Sequence, residues 1–261
     1  LADKMAKMRV VEANDVFLSE SREGSLHAYH HTNKVMGRGA SSTGWSWGAS
    51  FFDVDNDSDD DLYVVNGMND YALYSTENPY YKDPTGSARD VVLPQSNKEN
   101  NVFFINNNGK LHNVSERSGA NLLGNTRAVA YLDYDADGDL DMLLNNYHGD
   151  AVLYRNNAEQ LGNNWIKVKL IGDFEKGSNR DAVGARIIAT TVNGQRIWRE
   201  IRRGESYLTV HPKEQHIGLG KTASVNLTVE WPNGERNEYR DLAAGYRYVI
   251  DQKSQAIGRK R

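Results

Sequence analysis

Cysteine is absent from the 261 residues. That absence removes disulfides, thiolate metal sites, covalently attached haem and cysteine nucleophiles together. It leaves the compartment open, because a protein outside the cell can be held by a metal ion instead. Proline is scarce, with five residues in the chain. No apolar run approaches the roughly 20 residues that a spanning helix needs, so no transmembrane segment is expected. The chain has no signal peptide at its start and opens on Leu1, for which a cleaved or trimmed N-terminus is the expectation. Motifs for catalysis are missing too: there is no Gly-x-Ser-x-Gly, no P-loop and no zinc-hydrolase signature.

A strong charge of one sign is lacking overall, with 31 basic and 35 acidic residues and a net charge of -4. The balance hides an asymmetry. Residues 1–160 carry 13 basic and 24 acidic residues, whereas residues 161–261 carry 18 basic and 11 acidic. A composition break near Leu161 predicts two domains, 1–160 and 161–261. Eleven of the acidic residues fall in two short stretches, which is too concentrated for an ordinary solvated surface.

The first half repeats itself. Asn14-Asp-Val-Phe-Leu-Ser, followed by Gly24-Ser-Leu-His27, resembles Asn100-Asn-Val-Phe-Phe-Ile-Asn followed by Gly109-Lys-Leu-His112, and Ala151-Val-Leu-Tyr-Arg-Asn-Asn157 is a third opening. Each of the first two copies leads to a short apolar strand, Trp47–Phe52 or Arg127–Leu132, and then to an Asp-rich loop. The loops are 80 residues apart, position for position. Each unit reads as strand, Asp loop, strand and outer hairpin, with turns at Glu23-Gly24 and Asn108-Gly109. Four short strands per unit suggest propeller blades, but a closed propeller needs at least four blades. About two and a half units fit here, so the expectation is the C-terminal blades of a longer propeller, completed by preceding sequence or by another chain. Residues 68–99 read as a long surface insertion.

The loops are Asp53-Val-Asp55-Asn-Asp57-Ser-Asp59-Asp-Asp61 and Asp133-Tyr-Asp135-Ala-Asp137-Gly-Asp139-Leu-Asp141. Calcium takes six to eight oxygens, and acidic residues at positions 1, 3 and 5 of a tight loop converge on one point. Position 7 offers its backbone carbonyl and position 9 closes the cage. The predicted cofactor is therefore calcium, at two sites, with Asp53, Asp55, Asp57, Asp59 and Asp61 on one and Asp133, Asp135, Asp137, Asp139 and Asp141 on the other. An EF-hand would need a Glu at position 12 on a helix, where this chain has Val64 and Leu144 on strands. Gly138 supplies the sharp turn at position 6 of the second loop; Ser58 must make it in the first, at some strain.

These units resemble the FG-GAP/VCBS repeats of integrin-type propellers over roughly residues 10–160. The resemblance implies a structural role for calcium between blade strands. Residues 163–250 alternate apolar and polar positions, as in Ile166, Val168 and Leu170 against Lys167 and Lys169, and read as antiparallel sheet. Asn193-Gly194 and Asn233-Gly234 mark hairpins. This stretch resembles the ASPIC/UnbV domain, on Asn179-Arg180-Asp181 with Gly184-Ala185-Arg186, Arg203-Gly204-Glu205-Ser206-Tyr207-Leu208, Ile217-Gly218-Leu219-Gly220 and Trp231-Pro232-Asn233-Gly234. The fold expected is all-β, a partial propeller followed by an antiparallel β-sandwich-like domain.

The resemblance implies a secreted or surface protein, with the periplasm as the alternative compartment, and an adhesive role without catalytic residues. The leading expectation is an extracellular binding module for a protein or glycan. The alternatives are a structural subunit of a surface assembly, in which other copies or a second chain supply the missing blades, and part of a secreted polysaccharide-active enzyme. Nucleic acid is not expected, since no basic and aromatic stripe accompanies Arg199, Arg202 and Arg203. Those three form a basic patch that reads first as a solvated strand face and second as a site for an acidic partner. His27 and His31 could share a helical face with His30 beside them, although a polar loop is the plainer reading. Trp45 and Trp47 read as packed residues rather than as a sugar platform.

Overall fold

The computed structural model describes residues 17–20, 28–31, 43–67 and 98–260. The insertion at 68–99, apart from its last two residues, lies outside the described residues, as does His27.

The regular structure of the described chain is nearly all strand. In order the strands are β1 (Phe17–Glu20), β2 (Ala28–His31), β3 (Ser46–Phe52), β4 (Asp61–Asn66), β5 (Glu99–Asn100), β6 (Val102–Asn107), β7 (Lys110–Asn113), β8 (Leu123–Gly124), β9 (Thr126–Leu132), β10 (Asp141–Asn146), β11 (Val152–Tyr154), β12 (Asn164–Ile171), β13 (Arg186–Thr191), β14 (Arg196–Glu200), β15 (Gln215–Gly220), β16 (Ser224–Glu230), β17 (Arg236–Ala243), β18 (Tyr246–Asp251) and β19 (Ile257–Lys260). The sheet orders include β3-β4-β6-β7, which is the four-stranded blade expected of one repeat, and β11-β10-β9. His30 and His31 lie on β2, so the helical arrangement considered for them does not form.

Contacts divide the chain into two units. One gathers Leu1–Ala49, Leu62–Ala128 and Asn145–Asp150; the other gathers Ser50–Asp61, Val129–Leu144 and Ala151–Arg261. In the first, Leu62, Val64, Phe104 and Leu111 form a small core. Asn108 and Gly109 both take left-handed backbone, with φ of 53° and 82°, in the two-residue turn between β6 and β7. This is the turn that an Asn-Gly pair favours, because its twist matches the flanking strands. Trp47 is half-buried, donates its indole N–H to the Gly67 carbonyl at 2.7 Å and carries the Arg127 guanidinium 4.3 Å over its ring. Trp45, by contrast, is exposed, so the packed reading holds for Trp47 alone.

The second unit is built on two four-stranded sheets, β15-β12-β18-β19 and β14-β13-β16-β17. Their inner faces share one core that includes Ile166, Val168, Leu170, Ile187, Val229 and Ile250. The alternating positions on β12 and β16 are buried as the sequence pattern requires. One pairing departs from the antiparallel expectation: β12 and β18 run parallel, with Ile166 opposite Tyr246 and Leu170 opposite Ile250. A parallel pair needs a long crossover, and here the chain between them supplies the whole of the other sheet. The turns at Asn193-Gly194 and Asn233-Gly234 also differ from Asn108-Gly109. Only the Gly is left-handed in each, at φ 87°, and Thr191 N–H donates to Gln195 O while Trp231 N–H donates to Glu235 O. Both are three-residue loops that close on a glycine.

Candidate metal loops and the adjoining cavity

Both Asp loops fall in the second unit, with the sandwich strands. They share one internal hydrogen-bond pattern. The carboxylate at position 1 accepts the N–H of position 6, which is Ser58 to Asp53 at 2.9 Å and Gly138 to Asp133 at 2.9 Å. The carboxylate at position 9 accepts the N–H of position 2, which is Val54 to Asp61 at 2.9 Å and Tyr134 to Asp141 at 3.0 Å. Both loops turn through left-handed residues at positions 4 and 6: Asn56 (φ 61°) and Ser58 (82°), Ala136 (65°) and Gly138 (101°). Ser58 does adopt the backbone that a glycine would take at least cost.

The loops are tied to each other and to the sandwich. Asn56 donates its amide to the Gly138 carbonyl at 3.0 Å, and Asn156 donates to the carbonyls of Val54 at 2.7 Å and Leu140 at 3.2 Å. Gly220 N–H donates to Asn56 O at 2.8 Å. A Cβ on Gly218 would stand 2.0 Å from Asp53 Oδ2 and 2.6 Å from Asn56 Cα, so the first loop seats directly on the bare backbone of β15. A Cβ on Gly138 would stand 1.9 Å from the Trp165 indole nitrogen, so the second loop seats on the aromatic face that β12 presents.

Acidic oxygens converge within 4.8 Å in three groups: Asp53, Asp55 and Asp57; Asp133, Asp135 and Asp141; Asp137, Asp139 and Glu159. Glu159, from the short 3-10 turn Ala158–Leu161, was not among the sequence-predicted residues. Nothing local in the sequence marks it, because it lies 18 positions beyond the end of its loop. Asp133 Oδ1 and Asp139 Oδ1 are buried without a hydrogen-bond donor. A buried carboxylate oxygen without a donor is costly, and a hard cation is what would satisfy it. The donor set is all oxygen, as calcium requires, so these residues fit such an ion.

The charge environment supports the same fit. Burial pushes Asp53 up to about 8, only partly offset by Arg199 and the Ser58 N–H. Burial likewise raises Asp139 to about 7, and raises Asp55 and Asp141. Asp135 moves the other way, because the Arg155 guanidinium hydrogen-bonds it. Arg155 reaches Asp135 Oδ2 at 2.7 Å and Asp137 Oδ2 at 2.9 Å, and Lys167 pairs with Asp133 Oδ2.

Comparison with known proteins bears on these loops and on the sandwich. Residues 88–144 match the FG-GAP-like repeat and residues 175–257 match ASPIC and UnbV. The chain carries both segments. Among curated proteins it is similar to cartilage acidic protein 1 of Homo sapiens, 31% identical over 121 residues, which is 43% of this chain and 17% of that protein. It is similar to the same-named proteins of Xenopus tropicalis, 31% identical over 113 residues (41% and 16%), and of Mus musculus, 30% over 111 (40% and 16%). The match thus spans about a sixth of the length of these relatives.

Two ASPIC/UnbV motifs now have a physical reading. Ile217-Gly218-Leu219-Gly220 supplies the β15 seat of the first loop. Arg203-Gly204-Glu205-Ser206-Tyr207-Leu208 brings Glu205 to a cavity of 480 Å³ whose walls include both Asp loops, Tyr131, Trp198, His211 and His216. The basic patch is not a bare strand face. Arg199 grips Asp60 through two nitrogens at 2.8 and 3.3 Å, and Arg202 pairs with Glu200 at 3.2 Å.

Proposed function

We propose that the chain is a calcium-stabilised binding module that works outside the cell and holds a protein or glycan ligand. Residues 1–160 are its propeller blades and 161–261 its ASPIC/UnbV domain. Asp53, Asp55, Asp57 and Asp61 would hold one calcium ion, and Asp133, Asp135, Asp137 and Asp141 a second. Asp59 and Asp139 complete the ten-carboxylate set, Asp139 with Glu159 beside it. The ion supplies a hard positive charge for oxygens that lack donors. The chain's own residues do the rest: position 1 and position 9 carboxylates fold each loop over its backbone N–H groups, and Asn56 and Asn156 lock the loops together.

The single observation that carries the reading is the pair of donorless buried oxygens, Asp133 Oδ1 and Asp139 Oδ1, both in the second loop; the first loop is read in its likeness, from its shared turn and the convergence of Asp53, Asp55 and Asp57. A location outside the cell is supported by relatives named for cartilage. Calcium titration by calorimetry, with thermal melts in calcium and in EDTA, tests it. Two bound ions and a melting temperature raised by 10 °C or more are expected; no uptake and identical melts would sink the reading.

A second reading has one observation in its favour. Leu143 and Leu153 face each other across β10 and β11, and both are exposed, Leu153 on the strand that ends its sheet. An exposed apolar pair at a sheet edge suits a chain completed by further strands, as in a subunit of a larger assembly. Light scattering of the calcium-loaded protein separates a monomer from such an assembly.

A further inference from the structure

We infer that the cavity beside the Asp loops is a binding site for a neutral, hydroxyl-rich ligand of mono- to disaccharide size. The inference rests on the binding-module reading, since two of its walls are the loops that calcium would fix. At 480 Å³ the cavity is within the range of small-ligand sites.

The cations of its wall are already matched. Arg199 is held by Asp60, Arg202 by Glu200 and Lys167 by Asp133, while Glu214 is held by Arg247. Every Lys and Arg of the wall is spent on a carboxylate, while Glu205 and Asp53 have no Lys or Arg ion pair among the described residues, so the wall offers no free positive charge to select an anionic ligand. That argues against the acidic partner that the arginines alone would suggest.

Two buried histidines sharpen the requirement. His216 Nε2 meets Asn56 Oδ1 at 2.6 Å, and Asn56 spends its amide on the Gly138 carbonyl. Asn56 Oδ1 is therefore the acceptor, His216 Nε2 carries the proton, and Nδ1 is left as a buried acceptor without a donor. His211 is the mirror case. Its Nδ1 accepts from Tyr131 N–H at 3.4 Å, so Nε2 carries the proton and has no hydrogen-bond acceptor. Glu205 lies 3.4 Å from that nitrogen and takes the Tyr131 hydroxyl at 2.9 Å instead. One orphan needs a donor and the other an acceptor. Neither nitrogen is open to solvent, so an array of hydroxyls, each both donor and acceptor, meets Glu205 and the ion pairs at the wall and reaches the histidines as the wall adjusts to it.

Aromatic faces complete the match. Trp198 and Phe51 are each 49% exposed at the cavity. A half-exposed ring beside polar groups suits a ligand that is apolar on one face and polar at its edges, which describes a pyranose.

The test uses the whole chain in calcium buffer. The probes are methyl β-glucoside, methyl β-galactoside, methyl α-mannoside, N-acetylglucosamine, cellobiose and glucuronate, read by saturation-transfer NMR and calorimetry. At least one neutral sugar is expected to bind with a millimolar or lower Kd. Trp198→Ala and Glu205→Gln should each weaken it tenfold or more with the calcium-loaded melting temperature unchanged, and Trp45→Ala should leave it alone. Binding by none of the neutral sugars overturns the inference. So does binding that survives both variants, or glucuronate binding tenfold tighter than every neutral sugar. Calcium uptake without sugar binding defeats this inference alone. If calcium is not taken up, the earlier reading fails, and the same sugar titration still decides this one.

Discussion

The two Asp loops have the same sequence pattern and share the hydrogen bonds that their first and last carboxylates accept, yet they differ in what balances their charge. The second loop carries two of the protein's own cations: Lys167 on Asp133, and Arg155 across Asp135 and Asp137. The first loop carries one, Arg199 on Asp60; among the described residues no cation pairs with Asp53, Asp55 or Asp57, and burial holds Asp53 up at about 8 with Arg199 only partly offsetting it. Their seats differ as well, bare β15 backbone for the first and the Trp165 ring for the second. A repeat motif therefore fixes the loop's own geometry, while the sheet beneath sets how far each copy depends on a metal. On the proposed reading, the first loop would be the more dependent of the two on a metal.

The largest expected effect comes from filling the seats. Gly218→Ala drives a methyl into the Asp53 carboxylate and the Asn56 backbone, and the backbone cannot swing aside. It should cost about 3 kcal/mol or more and remove one calcium from the titration. Gly138→Ala should remove the other, since it combines a clash on Trp165 with left-handed backbone (φ 101°). Two ions retained in either variant would show that the seats do not shape the sites.

Next is Lys167→Met. Lys167 and Asp133 have side chains only 12% and 2% exposed, and removing one partner of a buried pair leaves an uncompensated charge. The metal-free protein should lose about 3 kcal/mol, read by urea melts in EDTA, and much less in calcium, where the ion takes over the balancing. Equal losses in the two conditions would mean that Lys167 does not stand in for a metal.

This contrast was only half legible in the sequence. The nine-residue spacing pointed to the carboxylates that converge, Asp53, Asp55 and Asp57 in the first loop and all five in the second, although Asp59 and Asp61 join no such group among the described residues; a loop that converges carboxylates writes its periodicity into consecutive positions. The all-β class and the strands that flank each loop were legible in the same way, from alternation at Ile166 to Leu170 and from Gly-containing turns. Lys167, Arg155 and Glu159 were not. They meet the loop from β12 and from the segment after β11, and long-range placement leaves no local pattern. The parallel pairing of β12 with β18 was hidden for the same reason: alternation reports a wet and a dry face, not the direction of the neighbour. Tyr131 comes from a different stretch than Glu205 and His211, which share the segment between β14 and β15, and only the Arg203–Leu208 motif hinted that one of them had a task.

pH should separate the loops further, by a smaller amount. Asp53 has a folded value near 8 against an ordinary value of 3.8, and Asp139 one near 7. A raised folded value means stability that is full below the ordinary value and is lost as pH climbs through the folded one. His216 works in the opposite sense, because burial depresses it to about 3 from 6.5, so its contribution is lost as pH falls below 6.5. Between pH 6.5 and 8 the carboxylates act alone. Metal-free protein should therefore become less stable across that window, while the calcium-loaded protein should hold steady or gain, since calcium prefers the charged carboxylates. A flat metal-free profile would place these carboxyls in water rather than in the folded loops.

The smallest effect is the most direct probe of the comparison. Arg155 is an exposed side chain, yet its guanidinium occupies one oxygen of Asp135 and one of Asp137. A cation entering the second loop must displace it or share those carboxylates with it, and in either case its positive charge opposes the ion. Arg155→Ala should raise calcium affinity at the second loop several-fold and leave the first unchanged, because no described contact links Arg155 to Asp53, Asp55 or Asp57. Calorimetry on the Gly218→Ala background, where only the second loop should titrate, isolates the change. A weaker second site in that experiment would recast Arg155 as an organiser that holds Asp135 and Asp137 ready, and the difference between the loops would then lie in their seats alone.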